Sequence, residues 1–225
     1  MTHVAGVVLA GGSGSRFGRS VNKVYLPLAG RPVLWWSLRA MARHSDVLVL
    51  VTRSQDVEFM ADVVDGLDVE VVEGGTTRQG SELAALRHLA PRVGTGAVDT
   101  ILIHDGARPL ASPELVNRVL AATGEYGGAI PGLRSEDLAE VTADGRVIPL
   151  AEDLVAVQTP QGFSARPLLA AYEQAAAEGF DGTDTASCVE RYTDIRVHWV
   201  PGEQRNLKVT YEHDLLVAER VMEPR

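Results

Sequence analysis

Four short runs of β-branched and aliphatic residues, Val4 to Leu9, Val47 to Val51, Val69 to Val72 and Thr100 to Ile103, recur along the first half of the chain. Each is continuous rather than alternating and is bounded by turn residues, the pattern of a parallel strand covered on both faces. Between them, Pro32 to Arg43, Gln55 to Val64 and Arg78 to Leu89 place apolar residues at helical spacing. Pro32 suits a helix start, and Ser112-Pro113-Glu114 reads as an N-cap followed by Pro at the first helical position. Strand and helix in strict alternation predict an α/β fold: a doubly wound, mostly parallel, Rossmann-like sheet. A length of 225 residues suits one domain, 1–225.

The segment 134–151 breaks this rhythm. Leu138 to Val141 and Arg146 to Ile148 are short runs separated by Thr142-Ala143-Asp144-Gly145, and Asp-Gly between two such runs signals a hairpin. A polar two-stranded arm has too little core to stand alone, so it packs on its own sheet or on another subunit. Beyond it, Leu154 to Val157 and Ile195 to Val200 read as strands. Arg166 to Glu178, Asp184 to Tyr192 and Tyr211 to Met222 read as helices.

A net charge of −9 argues against a broad nucleic-acid surface but permits a local basic pocket for a small anion. The single cysteine, Cys188, excludes an intrachain disulfide and a cysteine zinc site. No apolar run reaches signal-peptide or membrane-spanning length, so the expectation is a cytoplasmic protein without membrane contact.

Of 21 lysines and arginines only two are lysine, Lys23 and Lys208. Codon bias explains the scarcity. The survivors are then candidates for places where a compact point charge serves and a wide planar fork does not, and survival by chance stays open. Lys23 follows the loop Ala10-Gly11-Gly12-Ser13-Gly14-Ser15-Arg16-Phe17-Gly18, whose glycines let backbone N–H groups approach a ligand. The loop supplies no Walker A register. A dinucleotide fingerprint would put Gly where Phe17 stands and an acid where Thr52-Arg53 follow the second strand. A nucleoside triphosphate loop with Arg16 and Lys23 behind it fits best, and a plain tight turn stays open.

Two further clusters also sit at strand ends. His104-Asp105-Gly106-Ala107-Arg108-Pro109 offers an isolated carboxylate, which suits a Mg²⁺ ion that shares phosphate oxygens, and an arginine able to grip phosphate. A structural Asp–Arg pair explains it equally well. Gly74-Gly75-Thr76-Thr77-Arg78-Gln79-Gly80-Ser81 ends a strand and opens a helix. Its free N–H groups and the Ser81 hydroxyl suit a base edge or a phosphate, and a simple N-cap explains Thr76 or Thr77.

Together with Gln158-Thr159-Pro160-Gln161, Thr183-Asp184-x-Ala186-Ser187 and Asn206-x-Lys208-Val209-Thr210, these clusters resemble the 2-C-methyl-D-erythritol 4-phosphate cytidylyltransferases, nearly end to end. The resemblance implies a nucleotidyltransferase that joins CTP to a polyol phosphate in isoprenoid precursor synthesis, with Mg²⁺ as cofactor and a homodimer formed through the arm. It implies nucleotide contacts from Ala10, Gly11, Gly12, Gly14, Ser15, Gly75, Thr76, Arg78, Ser81, Asp105 and Gly106. Catalytic roles fall to Arg16, Lys23 and Lys208, the metal to Asp105, and the acceptor to Arg108, Thr183 and Lys208.

The chain departs from the family pattern at Gly80, where Asp is usual, and at Asn22, where Pro is usual. It also departs at 134–138, and at Ala151, where the partner's arm usually supplies an acceptor-binding Arg. Arg134 and Arg146 are the nearest substitute cations. A ribitol 5-phosphate cytidylyltransferase, or a nucleotide-binding relative without catalysis, is the alternative.

Overall fold

The computed structural model describes residues 2–12, 22–135, 139–149, 154–182 and 184–223. Strands β1 (Val4–Leu9), β4 (Val47–Thr52), β5 (Glu70–Glu73) and β6 (Thr100–Asp105) run parallel in the order β6-β1-β4-β5. These are the four runs read from sequence. Between β1 and β4 lie a short 3₁₀ turn (Lys23–Tyr25), the two-residue strands β2 (Pro27–Leu28) and β3 (Arg31–Pro32), and helix α1 (Val33–Ala42). The expected helix over 55–64 is instead a 3₁₀ turn, Ser54–Phe59, running into the short α2, Met60–Val64. Helix α3 runs from Arg78 to Thr95, past Pro91 and beyond the expected end at Leu89.

The far half of the sheet is antiparallel where the chain returns. After α4 (Pro113–Tyr126), β7 (Gly128–Ser135) pairs with β10 (Leu154–Val157) and with β11 (Gln161–Ser164), and β11 pairs with β6. Neither β7 nor β11 is legible as a strand in the sequence. Gly128, Pro131 and Gly132 interrupt the first, and the second is four residues long with Gly162 inside it. The hairpin arm is present as β8 (Ala139–Val141) and β9 (Val147–Pro149), turning at Asp144-Gly145. Its strands pair only with each other among the described residues. Helices α5 (Ala165–Glu178) and α6 (Thr185–Tyr192) follow. Strand β12 (His198–Pro201) joins β7 in parallel and starts later than the expected Ile195, and α7 (Glu212–Met222) is the last helix.

Side chains of β1, β4 and β6 alternate between two cores, as a period of two requires. Val4 and Val8 of β1 face Leu34, Leu38, Leu115 and Val119 of α1 and α4. Ala5 and Val7 face Leu86, Leu89, Leu168 and Val189 of α3, α5 and α6. Helices thus cover both faces. The order β6-β1-β4-β5 reverses direction between β1 and β6, and in such sheets the crevice beyond the carboxyl ends at that point is where ligands bind.

Candidate active site

A cavity of about 400 Å³ opens at that crevice. Ala10, Gly11 and Gly12, immediately after β1, form one wall. Gly75, Thr76, Arg78 and Ser81, spanning the β5–α3 turn, form another. Asp105 at the end of β6 and Ala107 just after it, with Lys23 and Lys208, complete it. The two lysines of the chain, 185 positions apart, therefore line one cavity. Gly14, Ser15, Arg16, Thr183 and Ala151 lie outside the described residues.

Lys23 is held from behind by its neighbour. Asn22 is buried; its Nδ2 donates to the Ala10 carbonyl at 3.0 Å and its Oδ1 accepts from Val24 N at 3.4 Å. The amide thereby caps the turn that carries Lys23 and ties it to the end of β1, which a proline side chain could not do. Two residues on, the Tyr25 hydroxyl meets the Thr52 hydroxyl at 2.9 Å and donates to Asp56 at 3.1 Å. The Tyr25 ring stacks on Phe59 at 4.6 Å.

Asp105 is almost wholly buried and ringed by cations. Arg78 Nη1 donates to Oδ1 at 2.6 Å, Lys208 Nζ lies 2.8 Å from Oδ2, and Arg108 Nε is 3.7 Å from Oδ2. Burial alone would lift the carboxyl pKa, but the three cations outweigh it and hold the group well below the usual carboxylate range. Asp105 is therefore ionised throughout the working range of pH. Among the described residues no three His, Cys, Asp or Glu side chains converge on a common point. A metal here would rest on Asp105 with oxygens from the ligand. That donor set fits Mg²⁺, which takes one or two carboxylates and shares phosphate oxygens.

Lys208 reaches Asp105 because both ends of its segment are pinned. Asn206 is fully buried and its Nδ2 donates to the Thr159 carbonyl at 2.8 Å, while Val209 N donates to the Ala107 carbonyl at 2.8 Å. His104 belongs to the same scaffold. Its Nε2 lies 3.0 Å from the Arg108 carbonyl and its Nδ1 3.0 Å from Thr159 Oγ1. A carbonyl only accepts, so Nε2 carries the proton and Nδ1 accepts from Thr159. Thr159 Oγ1 in turn accepts from Asp105 N at 3.0 Å. Burial drives the His104 pKa down to about 4, so the ring is neutral at pH 7.

Other residues singled out in the sequence are not part of the cavity lining. Gly106 donates its N–H to the Leu9 carbonyl and its own carbonyl accepts from Ser37, so it packs against β1 and α1. Arg108 directs Nη1 to the Asn206 carbonyl at 2.8 Å and Nη2 to the Val157 carbonyl at 3.3 Å, with its side chain only 11% exposed. Arg134 lies over the Trp199 ring at 5.3 Å, and Arg146 pairs with Asp144 at the arm's turn.

The β5–α3 turn is built by close contact. A Cβ on Gly75 would fall 2.7 Å from the Gly80 carbonyl carbon, so the turn stacks directly on the first turn of α3. Thr77 caps that helix, accepting from Gly80 N at 3.0 Å. Ser81 Oγ lies 2.9 Å from the Thr77 carbonyl and 3.3 Å from the Gly75 carbonyl. Gly80, where the family pattern has Asp, is thus the residue on which Gly75 rests. Asn22, Thr159 and Asn206 carry much of this geometry; the sequence marked them only through the family pattern, which assigns them no contact. Each acts through long-range hydrogen bonds that no local pattern encodes.

A model of the 2-C-methyl-D-erythritol 4-phosphate cytidylyltransferase family, IspD, matches residues 4–224. The chain is 38% identical over 228 residues to the 2-C-methyl-D-erythritol 4-phosphate cytidylyltransferase of Thermosynechococcus vestitus, covering 97% of this chain and 95% of that protein. The crystal structure of 4-diphosphocytidyl-2C-methyl-D-erythritol synthase from Anaerococcus prevotii superposes with a TM-score of 0.85 at 28% identity, covering 99% and 97% of the two chains. That of 2-C-methyl-D-erythritol 4-phosphate cytidylyltransferase from Thermus thermophilus gives 0.76 at 32% identity, covering 96% of each.

Proposed function

The chain belongs to the 2-C-methyl-D-erythritol 4-phosphate cytidylyltransferase family, and from that premise we propose how its cavity carries out the reaction. As a member it is a CTP-dependent cytidylyltransferase acting on 2-C-methyl-D-erythritol 4-phosphate in isoprenoid precursor synthesis. A phosphate oxygen of the acceptor attacks the α-phosphorus of CTP, the bond to the bridging oxygen breaks, and pyrophosphate leaves. Such a transfer needs positioning and charge stabilisation rather than a protein nucleophile.

The observation that carries this reading is the convergence of Lys23, Asp105 and Lys208 on one cavity beside the β1 loop. In our assignment the main chain of Ala10, Gly11 and Gly12 lines the triphosphate, and Gly75, Thr76 and Ser81 face cytosine. Lys23, with Arg16, stabilises charge at the α-phosphate as it is attacked. Lys208 orients the acceptor phosphate, with Thr183 and Arg108 on the acceptor side. Asp105 is the residue that would hold Mg²⁺, which when bound screens the phosphate charges. Arg78 holds the Asp105 carboxylate in place through Oδ1.

We further propose that residues 1–225 act as one catalytic domain and that two copies pair through the arm. Support for pairing comes from the exposed Val141, Val147 and Ile148 on a hairpin that joins no other strand among the described residues. A cytoplasmic location agrees with the use of CTP and with the single buried Cys188 as a free thiol. The decisive experiment is pyrophosphate release from CTP with methylerythritol phosphate and, separately, ribitol 5-phosphate, with and without Mg²⁺. The expected result is Mg²⁺-dependent turnover preferring methylerythritol phosphate. Absence of turnover with either acceptor would overturn the reading.

A further inference from the structure

The first turns of α3 point in two directions. Arg78 and Ser81 face the cavity, while Gln79 faces Phe180 and Gly182 beyond α5 and Glu82 faces Thr185 at the start of α6. Gln79 Nε2 donates to the Phe180 carbonyl at 2.6 Å, and its Oε1 accepts from Gly182 N at 2.6 Å. One side-chain amide thereby pairs with the main chain on both sides of Asp181. The fit is close: a Cβ on Gly182 would lie 2.7 Å from Ser187 Oγ and 3.3 Å from Gln79 Oε1.

Glu82 is 1% exposed. Its Oε1 accepts from Thr185 Oγ1 at 3.0 Å and faces Arg78 Nε at 3.0 Å, and its Oε2 accepts from the Tyr172 hydroxyl. Arg78 carries the connection onward to Asp105 Oδ1 at 2.6 Å, and Lys208 stands on the other oxygen. Burying a carboxylate costs free energy, and a well-packed apolar side chain often serves stability as well or better. The carboxylate is therefore explained by what it orients, which is Arg78 on one side and Thr185 on the other.

We propose that Gln79 and Glu82 are positioning residues that lock Phe180, Gly182 and Thr185 to the helix bearing Arg78 and Ser81, so that the acceptor side of the site keeps register with Asp105 on the nucleotide side. The proposal rests on the assignment of Thr183, next in sequence to Gly182, and Lys208 to the acceptor. Neither Gln79 nor Glu82 lines the cavity, so neither touches substrate in this arrangement.

The test uses the full-length chain and the variants Gln79→Ala, Glu82→Gln and Tyr172→Phe. Gln79→Ala is expected to raise the methylerythritol phosphate KM about 10-fold while the CTP dissociation constant, measured by calorimetry without acceptor, moves less than about 2-fold. Glu82→Gln is expected to lower kcat as well, because Arg78 loses one of its two carboxylates. Tyr172→Phe keeps the carboxylate and should change both constants little. Hydrogen exchange, read without turnover, should quicken in peptides covering 179–186 in Gln79→Ala and stay unchanged in β1 and β4. Unaltered acceptor KM and exchange in Gln79→Ala would overturn the proposal, as would an equal loss of CTP affinity. If the unmodified chain released no pyrophosphate, the assigned reaction would fail, and the exchange comparison would still decide whether the clamp exists. Should Glu82→Gln not fold, Gln79→Ala decides alone.

Discussion

Lys208 Nζ lies 2.8 Å from Asp105 Oδ2, on the oxygen opposite the one gripped by Arg78. A carboxylate shared by cations from two distant segments joins the β5–α3 turn to the segment before α7. Removing it leaves Arg78, Lys208 and Arg108 facing one another. Asp105→Asn is expected to cost about 3 kcal/mol of stability at pH 7, as loss of one partner of a buried ion pair does. The folded-state pKa of Asp105 is depressed below about 3.8, so its contribution is complete above that value and fades as pH falls below it. Denaturant unfolding of both forms should show the gap closing below pH 3.8. A gap that widens there would contradict the assignment.

Lys23→Ala should lower kcat by roughly 100-fold with a smaller change in the CTP KM, as removal of a transition-state donor does. Lys208→Arg should not restore full activity, since a planar guanidinium replaces a compact ammonium between Asp105 and the acceptor. Steady-state kinetics on both variants checks this. Near-normal turnover in Lys23→Ala would remove the lysine from the mechanism.

Cytosine should be preferred over uracil by about 100-fold in kcat/KM, because carbonyls in the Gly74 to Thr76 turn can accept from the cytosine amino group and would oppose the uracil carbonyl. Gly75→Ala probes the same turn. Its Cβ would meet the Gly80 carbonyl carbon at 2.7 Å, so backbone must shift and the CTP KM should rise about 10-fold. Comparable kcat/KM for CTP and UTP in the unmodified enzyme would refute base reading at this turn.

His104 makes stability fall on the acid side in a separate window. Its pKa drops from about 6.5 to about 4 on burial, so the unfolded chain binds the extra proton first. The neutral ring's contribution is complete above pH 6.5 and is lost as pH falls toward 4. Urea unfolding between pH 7 and pH 4 should show a steeper decline in the unmodified chain than in His104→Gln, which cannot gain that proton. Parallel curves would show that His104 does not titrate there.

The arm should be required for pairing. Light scattering at micromolar concentration is expected to give a dimer, and replacement of 139–149 by a short Gly-Ser linker a monomer. A monomeric full-length chain would remove the proposed role of Val141, Val147 and Ile148.

The sequence by itself determined the parallel half of the sheet. Strands β1, β4 and β6 are buried on both faces, so their apolar runs are continuous and need no tertiary knowledge to see; β5, at the sheet edge, is half-exposed. It also marked Asp105 and the Gly74-Gly75 turn, because strand ends in such a sheet meet at one edge, and Lys23 and Lys208 as its two lysines. Tertiary structure alone decided the rest. Strands β7 and β11 take their conformation from pairing with β6 and β10 rather than from local propensity, and Gly and Pro hide them in the sequence. That the Arg108 guanidinium also binds the carbonyls of Asn206 and Val157 could not be seen in the sequence. Nothing local marked the partners of Asn22, Gln79, Glu82 and Thr159, whose side chains bond to Ala10, Phe180, Thr185 and Asp105. Buried polar groups must find partners wherever folding places them, and partners some 12 to 103 positions away leave no trace in a local pattern.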